Sequence, residues 1–183
     1  MMNITQISSF MDDYKISTNK NIHRFGILPI ERTISMLKEI DSLPLTSKTK
    51  PEIEAFGKLI DGVTNLKIRT FVNHGTICKC CGIHASFFAV EINKNDVLQS
   101  IILNLYAIDE NGKEVLMNMD HKLPRFHGGA DSLENMQTMC QPCNVKKGCK
   151  LILSDGGISK DSIKKKMKQE QREKTLKRIN NLL

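Results

Sequence analysis

Six cysteines stand at positions 78, 80, 81, 140, 143 and 149, and two pairs of them share one spacing. Cys78 and Cys81 form a C-x2-C run followed by Gly82, and Cys140 and Cys143 form a second such run. Each run is a short turn able to present two thiolates to one ion, and the two together supply the four sulfurs of a tetrahedral zinc site. The start at Met1 to Gln6 is polar rather than a secretory signal, so the chain is expected in the cytoplasm, where structural disulfides are not kept. Four thiolates leave zinc no open position for water, which makes its expected role structural. Cys80 and Cys149 are left over, and Cys80 can stand in for Cys78 or Cys81 as a ligand. A second chemically able group, Asp120-His121, follows an alternating apolar segment, so an acid and a histidine are expected at the end of a rigid strand.

The stretch 120–148 holds the Asp120-His121 pair, the Gly128-Gly129 turn followed by Ser132-Leu133-Glu134-Asn135, and Cys143-Asn144 with Lys146-Lys147-Gly148 behind it. Asn135 lies 14 residues and Asn144 23 residues after His121. In these features, over about residues 71–150, the chain resembles the HNH endonucleases, the beta-beta-alpha-metal nuclease motif in its zinc-stabilised form. The resemblance implies that His121 is the general base that deprotonates the attacking water, a task suited to a neutral imidazole. It makes Asp120 and Asn144 oxygen ligands of one divalent ion, magnesium or manganese, that stabilises the scissile phosphate and its 3′ leaving oxygen. It gives Asn135 the task of holding the loop and the base by hydrogen bonds. Many members carry His where this chain has Asn144; an amide is a weaker donor to soft metals than imidazole, which tilts the expectation toward magnesium. Arg125, Lys146 and Lys147 are candidate phosphate clamps or solvated surface charges, and His127 is expected to meet phosphate or solvent. A small free-standing nuclease of this kind is similar to phage-encoded or homing enzymes.

The elements that must position these residues are legible in part. Gln99 to Met119 is expected to form a hairpin: Ile101, Leu103, Leu105 and Ala107 alternate on one arm, Val115, Met117 and Met119 on the other, and Asn111-Gly112 supplies a tight turn. This hairpin fills the 58 residues between Cys81 and Cys140 and returns the two knuckles to each other. Residues 1–70 read as a helical N-terminal region. Ile4, Ile7, Phe10, Met11 and Tyr14 share one helical face. Pro29 can open a second helix with Ile30, Ile34, Leu37 and Ile40 on its stripe, closed by Leu43-Pro44. Thr49 and Glu52 suggest a capping box for a third helix, with Pro51 suited to its first helical position, Ile53, Phe56, Leu59 and Ile60 on its stripe, and Asp61-Gly62 ending it. Residues 159–183 read as a basic C-terminal helix. The expected fold is therefore α+β: an HNH nuclease core over residues 71–150 with a four-cysteine zinc site, between a helical region 1–70 and a basic segment 151–183.

Hydrophobic residues make up 40% of the 183 and charged residues 26%, the usage of a folded domain, and no apolar run approaches the length of a membrane span. Net charge is +7, and its distribution is uneven. Residues 1–143 carry 15 Lys/Arg against 16 Asp/Glu, whereas residues 144–183 carry 12 against 4. A local basic excess steers polyanions, so nucleic acid is the expected partner. Aromatics are only 5% with no Trp, which disfavours a base-stacking single-strand binder and leaves double-stranded DNA held through its phosphates. The thin apolar seam of Ile163, Met167, Leu176, Ile179 and Leu183 can dock on the body, pair two copies as a homodimer, or lie on DNA. Two alternatives stand beside the endonuclease: a structure-specific junction-resolving nuclease, and a non-catalytic zinc-dependent module that binds nucleic acid.

Overall fold

The computed structural model describes residues 2–3, 19–42 and 53–149. Along them run β1 (Met2–Asn3), β2 (Ile22–Pro29), α1 (Ile30–Ser42), β3 (Ile53–Ala55), β4 (Lys58–Ile60), α2 (Leu66–His74), β5 (Ala85–Asn93), β6 (Ile101–Ile108), β7 (Glu114–His121), β8 (Met136–Cys140) and α3 (Gln141–Lys147). The architecture is α+β. An antiparallel five-stranded sheet has the order β2-β5-β6-β7-β8, and a smaller sheet has the order β1-β3-β4. The helices expected at 4–14 and 159–183, and Leu43-Pro44, lie outside the described residues. Among the described residues no helix is long and apolar enough to cross a membrane.

The expected hairpin is β6 and β7, with Leu105 opposite Met117 and Ile108 opposite Glu114. Its turn differs from a two-residue Asn-Gly loop. Only Gly112 has a positive φ, 74°, and Asp109 organises the turn by accepting the backbone N–H groups of Asn111 and Lys113 on its side chain at 2.9 and 2.8 Å. A short acidic side chain that caps the turn makes a longer loop stable. Pro29 ends β2, and α1 starts at Ile30, burying Leu37 and Ile40 as expected from the stripe.

The N-terminal region is not all helix. Ile53, Phe56, Leu59 and Ile60 do not share a helical face; they sit on β3, the turn and β4, with Ile53 opposite Ile60. Phe56 and Gly57 both have positive φ, 54° and 68°, the conformation that turns one strand tightly into the next. The Phe56 ring lies so close over Gly26 that a Cβ there would come within 2.3 Å of its Cζ. β2, also inside this region, pairs with β5 across the sheet from Ile22 opposite Asn93 to Pro29 opposite Phe87.

One apolar core joins Leu28, Leu37, Phe71, Phe88, Val90, Leu105, Met117 and Met139, so both early strands and helices pack on the same sheet as the later ones. Phe87, Ala89 and Tyr106 form a smaller buried cluster. Beside it lies a sealed polar network. Arg24 donates from Nε to Glu91 at 2.7 Å and from Nη1 and Nη2 to Glu114 at 2.6 and 3.0 Å. The other oxygen of Glu91 accepts from Asn104 and Tyr106, each at 2.9 Å, and Lys67 donates to Asn104 at 2.7 Å. The Arg24 guanidinium also lies over the Phe87 and Tyr106 rings, at 5.2 and 4.9 Å from their centres. Burial alone would lower the Arg24 pKa, but the two carboxylates outweigh it and raise the pKa. Burial lowers that of Lys67, with Glu91 opposing.

Arg24 and two carboxylates lie within the sheet, with Lys67 reaching them through Asn104 from α2, and removal of one partner strands the others. Arg24→Met is therefore expected to lower stability by about 3–5 kcal/mol in urea unfolding. A loss below about 1 kcal/mol would mean that Glu91 and Glu114 find other partners.

Candidate active site and cysteine cluster

The two knuckles meet as their spacing requires. The ligand atoms of Cys78, Cys81, Cys140 and Cys143 all lie within 4.8 Å of one another, with Cys81 and Cys140 sulfurs 3.7 Å apart. A tetrahedron with Zn–S of ~2.3 Å has edges of about 3.8 Å, so the four sulfurs fit zinc. Cys80 and Cys149 are exposed and stand outside the group. The first knuckle is closed by the Gly82 N–H on the Cys78 carbonyl and by the Cys78 N–H on the Ile83 carbonyl, both 3.0 Å. Its Lys79 N–H reaches the Thr138 carbonyl of β8 at 2.9 Å, which ties it to the second knuckle. Burial pushes the Cys78 thiol up, but backbone N–H groups of Cys81, Cys140 and Cys80 outweigh this and hold it down at about 7. Burial and the neighbouring thiols push Cys143 up.

The knuckle also sets where α3 goes. Cys140 pairs with Met117 of β7 and is the N-cap of α3, which then packs back along β7. From Met117 to Asp120 is three residues of strand, ~10 Å; from Cys140 to Lys147 is seven residues of helix, also ~10 Å. The matched rises bring Lys147 over Asp120. Its ammonium is 2.7 Å from Asp120 Oδ2 and also donates to the His121 carbonyl, and its side chain is only 1% exposed. Lys147 is thus a buried partner of Asp120 rather than the surface phosphate clamp its charge suggests. A lysine whose ammonium turns inward from a short helix gives no sign of this in sequence. Gln137, opposite Asp120 on β8, donates to the same oxygen at 2.8 Å. Among the described residues, Oδ1 of Asp120 receives no hydrogen bond. Asn144, one helical turn before Lys147 and so on the same face, is half-buried and its amide has no hydrogen-bond partner among the described residues. A carboxylate oxygen and an amide oxygen are the hard donors that magnesium or manganese takes.

His121 ends β7 opposite Met136. Its Nε2 lies 2.7 Å from Asp131 Oδ1, an acid that no motif in the sequence marks. Arg125 grips Asp131 with both prongs of its fork, Nε to Oδ1 at 2.8 Å and Nη2 to Oδ2 at 2.6 Å. Arg125, and after it His121, holds the Asp131 carboxyl below the usual range. The connecting loop is pinned by Asn135. Its amide oxygen accepts the Leu123 N–H at 2.9 Å, while its amide nitrogen donates to the carbonyls of Leu123 and Ala130 at 3.0 and 2.9 Å. Gly129 has to be glycine here, since a Cβ would stand 1.7 Å from the Leu123 oxygen and 2.9 Å from the Asn135 amide.

Of the other basic residues, His127 places Nε2 3.0 Å from the Cys149 carbonyl and its ring edge-on to exposed Phe126, and Lys146 is exposed on α3. The structure thus brings Asp120, His121 and Lys147 together directly, and places Asn144 on the face of α3 that meets them. It keeps Asn135 in the loop. Asp131 and Gln137 had no signal in the sequence beyond their types.

Residues 109–150 match the family model described as HNH endonuclease. No curated protein and no solved structure matches the chain. The matched residues run from the β6–β7 turn through β7, the pinned loop and β8 to the end of α3, and they contain Asp120, His121, Asn135, Asn144 and the second knuckle. The chain therefore carries an HNH endonuclease domain at residues 109–150, and nuclease action on nucleic acid is the activity that domain supports.

Proposed function

We propose that the protein is a metal-dependent endonuclease that hydrolyses phosphodiester bonds of double-stranded DNA. The observation that carries this reading is the meeting of β7 and α3 inside the matched domain: Asp120 with Oδ1 free of hydrogen bonds among the described residues, His121 beside it, and Asn144 on the facing side of the helix. His121 takes the proton from a water that attacks phosphorus, the bond from phosphorus to the 3′ oxygen breaks, and the products carry a 5′ phosphate and a 3′ hydroxyl. Asp120 and Asn144 hold the divalent ion, magnesium or manganese, which when bound supplies Lewis-acid stabilisation of the charge on the phosphate and the leaving oxygen. Lys147 and Gln137 fix Oδ2 and so aim Oδ1. Arg125 keeps Nη1 for a substrate phosphate while its other two nitrogens hold Asp131, and His127, two residues on, and Lys146, exposed on α3, are further candidate phosphate contacts. Cys78, Cys81, Cys140 and Cys143 bind zinc, which holds the two knuckles together and takes no part in hydrolysis.

Supercoiled plasmid incubated with magnesium or manganese is expected to become nicked or linear with the wild-type protein, to survive with chelator, and to survive with His121→Ala at a rate at least ~10²-fold lower. Equal cutting by His121→Ala would remove the assignment of the base. Retardation of DNA by both proteins without cutting would favour the binding module instead.

Elemental analysis is expected to find one zinc per chain, lost in Cys78→Ser and Cys143→Ser together with a thermal midpoint lower by several degrees. Full zinc content in both variants would overturn the four-cysteine site.

A further inference from the structure

We propose that Asp131 is a positioning residue of this nuclease: it holds the His121 imidazole with its proton on Nε2 and so leaves Nδ1 as the acceptor of the water's proton. The inference rests on His121 being the base. A carboxylate with both oxygens in ion-paired contact accepts hydrogen bonds and donates none, so the 2.7 Å contact from Nε2 to Oδ1 requires that Nε2 donate. A neutral imidazole carries one N–H, and the lone pair is then on Nδ1. Asp131 can impose this because it is itself fixed. The Arg125 fork sets the plane of the carboxylate at 2.8 and 2.6 Å, and Asn135 holds the backbone next to it through the Ala130 carbonyl at 2.9 Å.

The same chain of contacts explains how Asn135 serves a histidine that its amide does not touch. It pins Leu123 and Ala130, the pinned loop presents Asp131, and Asp131 turns the ring. Exposure rises outward along the series, from 16% for the His121 side chain to 51% for Asp131 and 66% for Arg125. Charge at so open a position is screened, so orientation and tautomer are what the carboxylate provides rather than a large electrostatic term.

Two readouts test this. With imidazole-labelled protein, the nitrogen chemical shifts of His121 in the neutral state are expected to show Nε2 protonated and Nδ1 bare in the wild type, and a mixture of tautomers in Asp131→Ala and Asp131→Asn. In plasmid nicking, Asp131→Ala is expected to lower kcat about 10–100-fold with KM within twofold of wild type, and Asp131→Asn to fall between the two, with thermal midpoints unchanged. An unchanged tautomer, or wild-type kcat in both variants, overturns the positioning role while leaving the nuclease reading intact. Nicking by His121→Ala at the wild-type rate overturns the nuclease reading itself, whatever the tautomer.

Discussion

The meeting of four sulfurs is the constraint from which the site follows. Cys78 and Cys81 precede the β5–β8 meander, Cys140 ends it and Cys143 follows it, so one cluster closes a loop of more than fifty residues at a single point. Closing so long a loop costs chain entropy that neither knuckle offsets alone; a metal held by thiolates supplies binding free energy that appears as folding free energy. Because Cys140 is both a ligand candidate and the N-cap of α3, the same point fixes where the helix starts and in which direction it runs. A short helix of seven residues has little stability of its own. It is held at one end by the knuckle and at the other by Lys147 on β7.

That second anchor carries a cost that the site uses. An ammonium and a carboxylate taken out of water lose several kcal/mol of hydration each, and the loss is offset only when their remaining donors and acceptors are met. Here Asp120 Oδ2 takes both Lys147 and Gln137, and Lys147 also reaches the His121 carbonyl. The pair therefore ties the backbone of one site residue and the side chain of its neighbour to the same helix that brings Asn144. The geometry of three residues is set by one buried contact.

The rest of the sheet is a scaffold for this edge. β7 and β8 hold the site, and β2, β5 and β6 lie behind them with Arg24, Glu91 and Glu114 locked across three strands. A buried network whose members are all satisfied adds rigidity to the register that the buried apolar face already specifies. Glu114 starts β7, the strand that His121 ends, so the network holds one end of the strand whose other end carries the candidate site.

Local pattern determined what depends on near neighbours. The two C-x2-C runs, the alternation of β6 and β7, the apolar stripe of α1 and the place of Asp120-His121 at a strand end are all readable because each rests on residue type and spacing within a few positions. β2 was hidden because its buried positions are Arg24, Gly26 and Leu28; an arginine and a glycine erase the apolar alternation that marks a strand, and only the carboxylates of β5 and β7 and the ring of Phe56 make them fit a core. β3 and β4 imitated a helix because Ile53, Phe56, Leu59 and Ile60 fall at helical spacing, while the positive φ of Phe56 and Gly57 turns the chain back on itself. Asp131 and Lys147 gained their roles from partners ten and twenty-seven residues away, His121 and Asp120. The chemistry of this protein was thus set by its residue types and their local spacing. Which carboxylate meets the histidine, and which lysine is buried, was decided by tertiary structure, because a hydrogen bond or an ion pair depends on where two distant segments are brought together.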